Sequence, residues 1–462
     1  MKELTFIKFS ILSLLAMLQL SQLATAETLQ QPKYTLKLET TEFILPKFTG
    51  EFRKREAAIS PKEYETAEVL RELLNEKKYG EAIATLSELF SIELSPAMLL
   101  LKAQIYFQME DFKKAERTYL QILTRMPQLV RAHSDLAQLY LLQEKTGKAR
   151  SHFAKAVSFG SNDATIHGQL GYLNLHEHNA WSAISAYQTA MSLEPNNAQW
   201  KQGLLSALLE AHMTESAMAL VDEMVTDYPE EKELWLIRAS IALQAENTLK
   251  ALASLEIAIR LGDTSKENLQ VAAQLHMQNK NYDRALNLLE QNMSLGSIDM
   301  TTLDKALSWL LHERQWLHAK KLLDKVSERL TELDDQKLSR YYLHRALFAS
   351  KNKDLSAAKK HYTLALEKDP TNGKALIEAA EFYRLQEAFT QAELLFSRAQ
   401  ALRDFEMQAL RGKARVYIDM LDYKSALITL QKAFRKNPAE SDLKDNIIVL
   451  ENILKANEAA NI

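Results

Sequence analysis

Small and bulky apolar residues recur along the chain at one fixed interval. Alanine stands at Ala82, Ala115, Ala149, Ala183, Ala217, Ala251, Ala285, Ala319, Ala358, Ala392 and Ala426, with separations of 33 once, 34 eight times and 39 once. Four residues after each comes a large apolar side chain: Leu86, Tyr119, Phe153, Tyr187, Val221, Leu255, Leu289, Leu323, Tyr362, Phe396 and Leu430. In several copies alanine returns three residues further on. Offsets of four and seven lie on one face of a helix. Twelve residues before the key alanine lies another small site, as at Ala103, Ala137, Gly171, Ala239, Ala273, Ala346, Ala380 and Ala414, often with a tyrosine three residues later. Two helices per interval follow, antiparallel and joined by a tight turn. They approach closely because small side chains sit where they cross, and the bulky neighbour fills the groove beside the crossing.

Prolines punctuate the interval at Pro127, Pro195, Pro229, Pro370 and Pro438, where one helix pair ends and the next begins. Proline cannot continue a helix and disfavours helix in the residue before it. Pairs are expected to begin near Glu63, Pro96, Val130, Ala164, Ala198, Lys232, Lys266, Met300, Ser339, Gly373 and Met407. Leu70, Leu205 and Leu307 occupy the small site of their pairs, which predicts looser or rearranged packing there. Five extra residues between Ala319 and Ala358, around Thr331 to Gln336, predict a longer helix or loop.

The 34-residue period with its small, aromatic, alanine and proline positions resembles the tetratricopeptide repeat (TPR) family. The resemblance covers residues 63–438 and implies an all-α, right-handed superhelical α-solenoid of about eleven helix pairs. A concave groove is lined by the first helix of each pair. After Pro438 the apolar spacing of Leu443, Ile447, Leu450 and Leu454 predicts a C-terminal capping helix over the last pair. The expected organisation is a signal peptide at 1–26, an N-terminal arm or linker at 27–62, pairs 1–8 over 63–333, pairs 9–11 over 334–438, and the cap and tail at 439–462. In the arm, Tyr34, Leu36 and Leu38 alternate with polar residues in strand fashion. It reads either as a strap along the first repeats or as a segment that docks a partner by strand addition.

The start of the chain changes the cellular picture. Lys2 and Lys8 precede the apolar run Phe9–Leu18, and Ala24-Thr25-Ala26 offers a small-x-small cleavage pattern. A cleavable export signal is expected, with the periplasm as first compartment and secretion as second. No later apolar stretch approaches membrane-spanning length, so no stable membrane insertion is expected after cleavage. Composition narrows the function classes. The 462 residues are 47% apolar and 25% charged with a net charge of −3, which lacks the basic footprint of a nucleic-acid binder. With no cysteine in the chain, disulfides, thiolate metal sites and cysteine nucleophiles are ruled out.

No glycine-rich phosphate loop or nucleophile elbow occurs, and Ser350-x-x-Lys353 and Ser356-x-x-Lys359 lack companion motifs. His176-Glu177-His178, His312 with His318, and Asp334-Asp335 read as turn or surface residues. No catalytic, cofactor-binding or metal-binding residue is assigned, and no cofactor is expected. The resemblance places groove positions at the second, fifth, ninth and twelfth residues of each first helix. These give Arg131, Gln138, Tyr172, Gln202, Gln270 and Gln274, then Arg384, Arg411 and Arg415 near the end. Glutamines suit an extended peptide backbone, and the arginines suit a carboxylate unless Glu378 and Glu381 neutralise them internally. The chaperone-binding TPR subfamily grips a terminal carboxylate with a basic and amide set. The matching residues here are Ala67, Arg71, Leu100 and Gln104, so that clamp is absent. The expected function is a non-enzymatic periplasmic scaffold or adaptor for protein or peptide partners in a cell-envelope assembly (export, secretion or uptake). The alternative is a periplasmic holdase for unfolded clients.

Overall fold

The computed structural model describes residues 57–88 and 94–460, with side chains at 457–460 excepted. The expected signal segment and nearly all of the arm lie outside the described residues. Among those described there are 23 α-helices and no strand.

Chain contacts divide the molecule between Asp263 and Thr264 into two bodies. In the N-terminal body six pairs are formed by α1 (Tyr64–Asn75) and α2 (Tyr79–Glu88), α3 (Pro96–Gln108) and α4 (Phe112–Arg125), α5 (Val130–Leu142) and α6 (Thr146–Ser158), α7 (Ala164–His176) and α8 (Ala180–Leu193), α9 (Ala198–Glu210) and α10 (Thr214–Asp227), and α11 (Lys232–Gln244) and α12 (Thr248–Arg260). The C-terminal body holds five: α13 (Lys266–Gln278) and α14 (Tyr282–Ser294), α15 (Met300–His312) and α16 (Trp316–Ser327), α17 (Asp335–Lys351) and α18 (Leu355–Lys368), α19 (Gly373–Leu385) and α20 (Phe389–Gln400), and α21 (Glu406–Asp419) and α22 (Tyr423–Lys436). A last helix, α23 (Ser441–Ala460), follows them. It buries Leu443 and Leu450 on the eleventh pair, with Ile447 beside them, and so caps the stack.

All eleven period alanines are 0% exposed, which fixes them in the seams between helices rather than on the surface. The bulky residues four positions later are buried with them. The closeness of the helices follows the size of the small site. In the two fully described pairs with leucine there, at Leu205 and Leu307, the two helices approach less closely than in the other fully described pairs; the first pair, with Leu70, is described only as far as Glu88. Those leucines are themselves fully buried, so the helices have moved apart to admit them.

Where consecutive pairs meet, glycine plays the same part. A Cβ on Gly203 would lie 2.3 Å from the Tyr187 ring, and one on Gly412 would lie 2.2 Å from the Phe396 ring. Both glycines take the same register in α9 and α21. At these two junctions the second helix of one pair comes closest to the first helix of the next.

The turn inside each pair is also periodic. Lys77, Glu110, Glu144, His178, His212, Glu246, Lys280, Arg314, Lys353, Glu387 and Leu421 all have φ between 56° and 63°. Each ends its first helix with the paired 6→1 and 5→2 hydrogen bonds of a Schellman turn, such as Lys145 N–H to Tyr140 O at 2.8 Å and Glu144 N–H to Leu141 O at 2.9 Å. None is glycine, although a left-handed conformation costs an ordinary residue about 1–2 kcal/mol. Helix starts are held by side-chain caps, among them Ser95, Asp163, Asn197, Asp299 and Asn372 on first helices and Asp111, Asn247, Asp354 and Asp422 on second helices.

The five-residue insertion is split between a 3-10 turn, Leu330–Glu332, and an extra helical turn that makes α17 17 residues long. The boundary between the two bodies lies elsewhere, beside Gly262 at φ +97°.

Candidate partner-binding face

First helices of neighbouring pairs pack on one another between pairs 2 and 3, 4 and 5, and along pairs 8 to 11. The strip left open by these first helices carries the residues that the sequence offers as candidates for partner contact. In the N-terminal body Arg131, Gln138 and Tyr172 are half-buried on α5 and α7, and Gln202 is exposed on α9. In the C-terminal body Gln270 and Gln274 are half-buried on α13.

Arg131 is engaged. Its Nε lies 2.9 Å from Asp135 Oδ1, one helical turn away, as an ion pair that falls short of a directed hydrogen bond. Asp135 is 2% exposed and also accepts from the Gln104 amide at 2.9 Å and the Tyr119 hydroxyl at 3.4 Å. Burial pushes the Asp135 carboxyl up, and Arg131 and the Gln104 amide pull it partly back. The Tyr119 hydroxyl, buried beside it, is pushed well above its usual value by burial and then by the carboxylate. Gln104, Tyr119, Arg131 and Asp135 thus tie three helices from two pairs together. The sequence pattern puts Arg131 on the strip and Gln104 at a position of the absent clamp, but gives no sign of Asp135, because the sixth position of this first helix faces the preceding pair rather than the open strip.

In the C-terminal body the strip is charged and self-paired. Glu381 accepts from Arg384 Nε at 2.7 Å and lies 2.6 Å from Arg415. Arg384 also pairs with Asp419, and Arg411 with Glu440, just before α23. The arrangement is the internally neutralised one for Glu381, but not for Glu378. Glu378 sits among Lys374 and Lys351, and burial raises its carboxyl pKa. Further along, Asp304 accepts from Arg340 Nε at 2.7 Å and pairs with His344 Nε2 at 2.8 Å. Burial raises the Asp304 carboxyl, but these two partners outweigh it and hold it below the usual range.

Among the described residues no three or more histidine or acidic side chains are grouped to hold a metal ion, and no helix is long and apolar enough to cross a membrane.

Residues 100–164, which span the second and third pairs, match the family model of the tetratricopeptide repeat, and the same pair geometry recurs through both bodies. Those two pairs are tetratricopeptide repeats. No curated protein matches the chain in sequence. Among solved structures, YrrB, a TPR protein with an unusual peptide-binding site, is 18% identical; the match covers 41% of this chain and 95% of that one, with a TM-score of 0.36. Yeast Tom70 is 14% identical over 86% of this chain and 97% of its own, with a TM-score of 0.36. A complex of Naa15/Naa10 bound to HypK-THB is 17% identical over 79% of this chain and 67% of its own, with a TM-score of 0.38. At that level of superposition none of the three decides what this chain binds.

Proposed function

We propose that this TPR protein is a non-enzymatic scaffold that binds protein or peptide partners along the open strip of its first helices. We place it in the periplasm, within a cell-envelope assembly for export, secretion or uptake. The observation that carries the reading is the chemistry of the N-terminal strip. Gln138, Tyr172 and Gln202 carry amide and hydroxyl groups at successive pairs, a chemistry that suits an extended backbone without demanding particular side chains. In the C-terminal body Gln270 and Gln274 continue that chemistry, and Arg384, Arg411 and Arg415 give way to a guest carboxylate by exchanging Glu381, Asp419 or Glu440 for it. The export signal read at residues 1–26 is what supports the location.

The test is peptide binding by fluorescence anisotropy with the wild type and with Gln138→Ala/Gln202→Ala and Arg411→Ala/Arg415→Ala variants. A specific scaffold loses at least tenfold in affinity for its peptide in one double variant. A holdase binds unrelated unfolded chains equally in all three, and that result replaces the first reading with the second. Cell fractionation checks the compartment; recovery with cytoplasmic markers refutes the periplasmic assignment.

A further inference from the structure

The third pair contains two imidazoles in direct contact. His133 on α5 and His152 on α6 bring their Nδ1 atoms to 3.0 Å, with ring centroids 5.2 Å apart. The other nitrogen of His133, Nε2, lies 2.9 Å from the carbonyl oxygen of Pro127, in the connection that enters the pair. A carbonyl only accepts, so Nε2 carries the hydrogen and His133 Nδ1 is bare in the neutral ring. His152 Nδ1 must therefore donate. One chain of two hydrogen bonds runs from α6 through His133 to the backbone at Pro127. Phe159 and Tyr140 pack against the rings, with centroids 5.5 Å and 5.6 Å away.

The arrangement is particular to this pair. One repeat later His167 makes the same bond to the Ser161 carbonyl at 3.0 Å, but Ala186 stands where His152 would be. The charges that act on the two rings are cationic: Lys155 on both and Lys148 on His152, all on α6. Across on α4, Glu116 is taken up by the Tyr140 hydroxyl at 2.7 Å, and Lys145 at the turn lies over the Tyr140 ring. Among the described residues no carboxylate pairs with either imidazole.

We infer that the His133–His152 contact is an acid-sensitive latch that holds the third pair closed at neutral pH and lets it open on mild acidification. The first added proton has one free place, His152 Nε2, and puts a positive charge between Lys148 and Lys155. A second, on His133 Nδ1, sets two N–H groups against each other and breaks the contact. Opening frees α5, which carries Arg131, Asp135 and Gln138. The sign follows from linkage. Burial, then His133 and the two lysines, push His152 down to about 4, while an open imidazole titrates near 6.5. Between those values the open form binds more protons, so closure weakens as pH falls through that window. For a half-buried ring the expected change from pH 7.5 to 5.0 is about tenfold in opening.

Hydrogen exchange on the full chain, corrected for intrinsic rates, reads this directly. Peptides covering 127–158 should lose about tenfold in protection at pH 5.0, while the histidine-free sixth pair, 232–260, keeps its own. In His152→Gln the amide still donates to His133 and His133 alone titrates, so the pH response should shrink to the part that His133 carries. An unchanged third pair, an equal loss in the sixth pair, or a response undiminished in His152→Gln overturns the inference. Should that variant fail to fold, imidazole 15N shifts of the wild type decide. Titration of both rings near 6.5 overturns the latch, and titration displaced well below supports it.

Discussion

Replacing Gly203 by alanine tests whether glycine at the junction of the fourth and fifth pairs sets how closely they nest. The added Cβ would stand 2.3 Å from Tyr187 Cε1 and 2.4 Å from Cζ. Ordinary contact is about 3.5–4.0 Å, so the ring has to retreat by about 1 Å or more. It has little room, since Tyr187 is 0% exposed and already lies 3.0 Å from where a Cβ on Gly171 would be. Overpacking of this kind costs about 1–3 kcal/mol, and the crowding on both sides argues for the upper half. Alanine returns about 1 kcal/mol of helix propensity, leaving a net loss of about 1–2 kcal/mol. Gly147→Ala is the control: it too lies in a helix, but its Cβ would meet nothing within 4 Å. It should be neutral or gain up to about 1 kcal/mol. Urea unfolding followed by circular dichroism gives the overall effect. Hydrogen exchange in 180–210 localises it, because a stack of repeats opens piecewise. A double-mutant cycle with Tyr187→Leu should return more than about 1 kcal/mol of coupling. If Gly203→Ala behaves like Gly147→Ala, the close approach is not what the glycine is for, and the reasoning fails.

Three further outcomes follow from the same packing. Leu307→Ala in the eighth pair should cost about 2–5 kcal/mol, because its helices stand apart around a leucine that nothing else replaces, whereas Ala239→Leu in the sixth should cost about 1–3 kcal/mol by forcing its helices open. Urea midpoints check both, and a neutral Leu307→Ala contradicts the size rule. Glu144→Gly should raise stability by about 1 kcal/mol, since φ of 56° costs glycine nothing, and Glu144→Val should lower it. Thermal melts that rank the two the other way round contradict the turn assignment. Gln169 is 1% exposed and neither of its amide atoms has a protein partner, so Gln169→Leu should stabilise the fourth pair by about 1 kcal/mol or more. Hydrogen exchange over 164–193 reads that gain.

The helices were legible because each pair repeats the same small and bulky residues, so Ala183 and Tyr187 carry the same information as Ala285 and Leu289. Even two looser pairs could be named in advance from Leu205 and Leu307. What stayed hidden depends on contacts between residues that no motif joins. The intra-pair turns carry no glycine signal, although all adopt a left-handed residue. His133 and His152 are 19 positions apart on different helices, a spacing shared with no metal or catalytic pattern. The arginine choice was open in sequence, because Arg384, Arg411 and Arg415 find either a guest or an internal acid depending on which way Glu381, Asp419 and Glu440 point. The boundary at Asp263 escaped notice because the repeat runs through it without a change of period.

The claim that most needs testing is that the strip of first helices, and not the opposite surface, receives polypeptide. Because the chain has no cysteine, a single introduced thiol carries a photoreactive probe to one place only. Placed by Gln138→Cys on the strip and by Leu120→Cys on the exposed side of α4, the probe compares the two surfaces in otherwise identical molecules. The account predicts crosslinking of a bound peptide from position 138, competed away by excess unlabelled peptide, and little from 120. Equal capture from both positions, or capture from 120 alone, would contradict it.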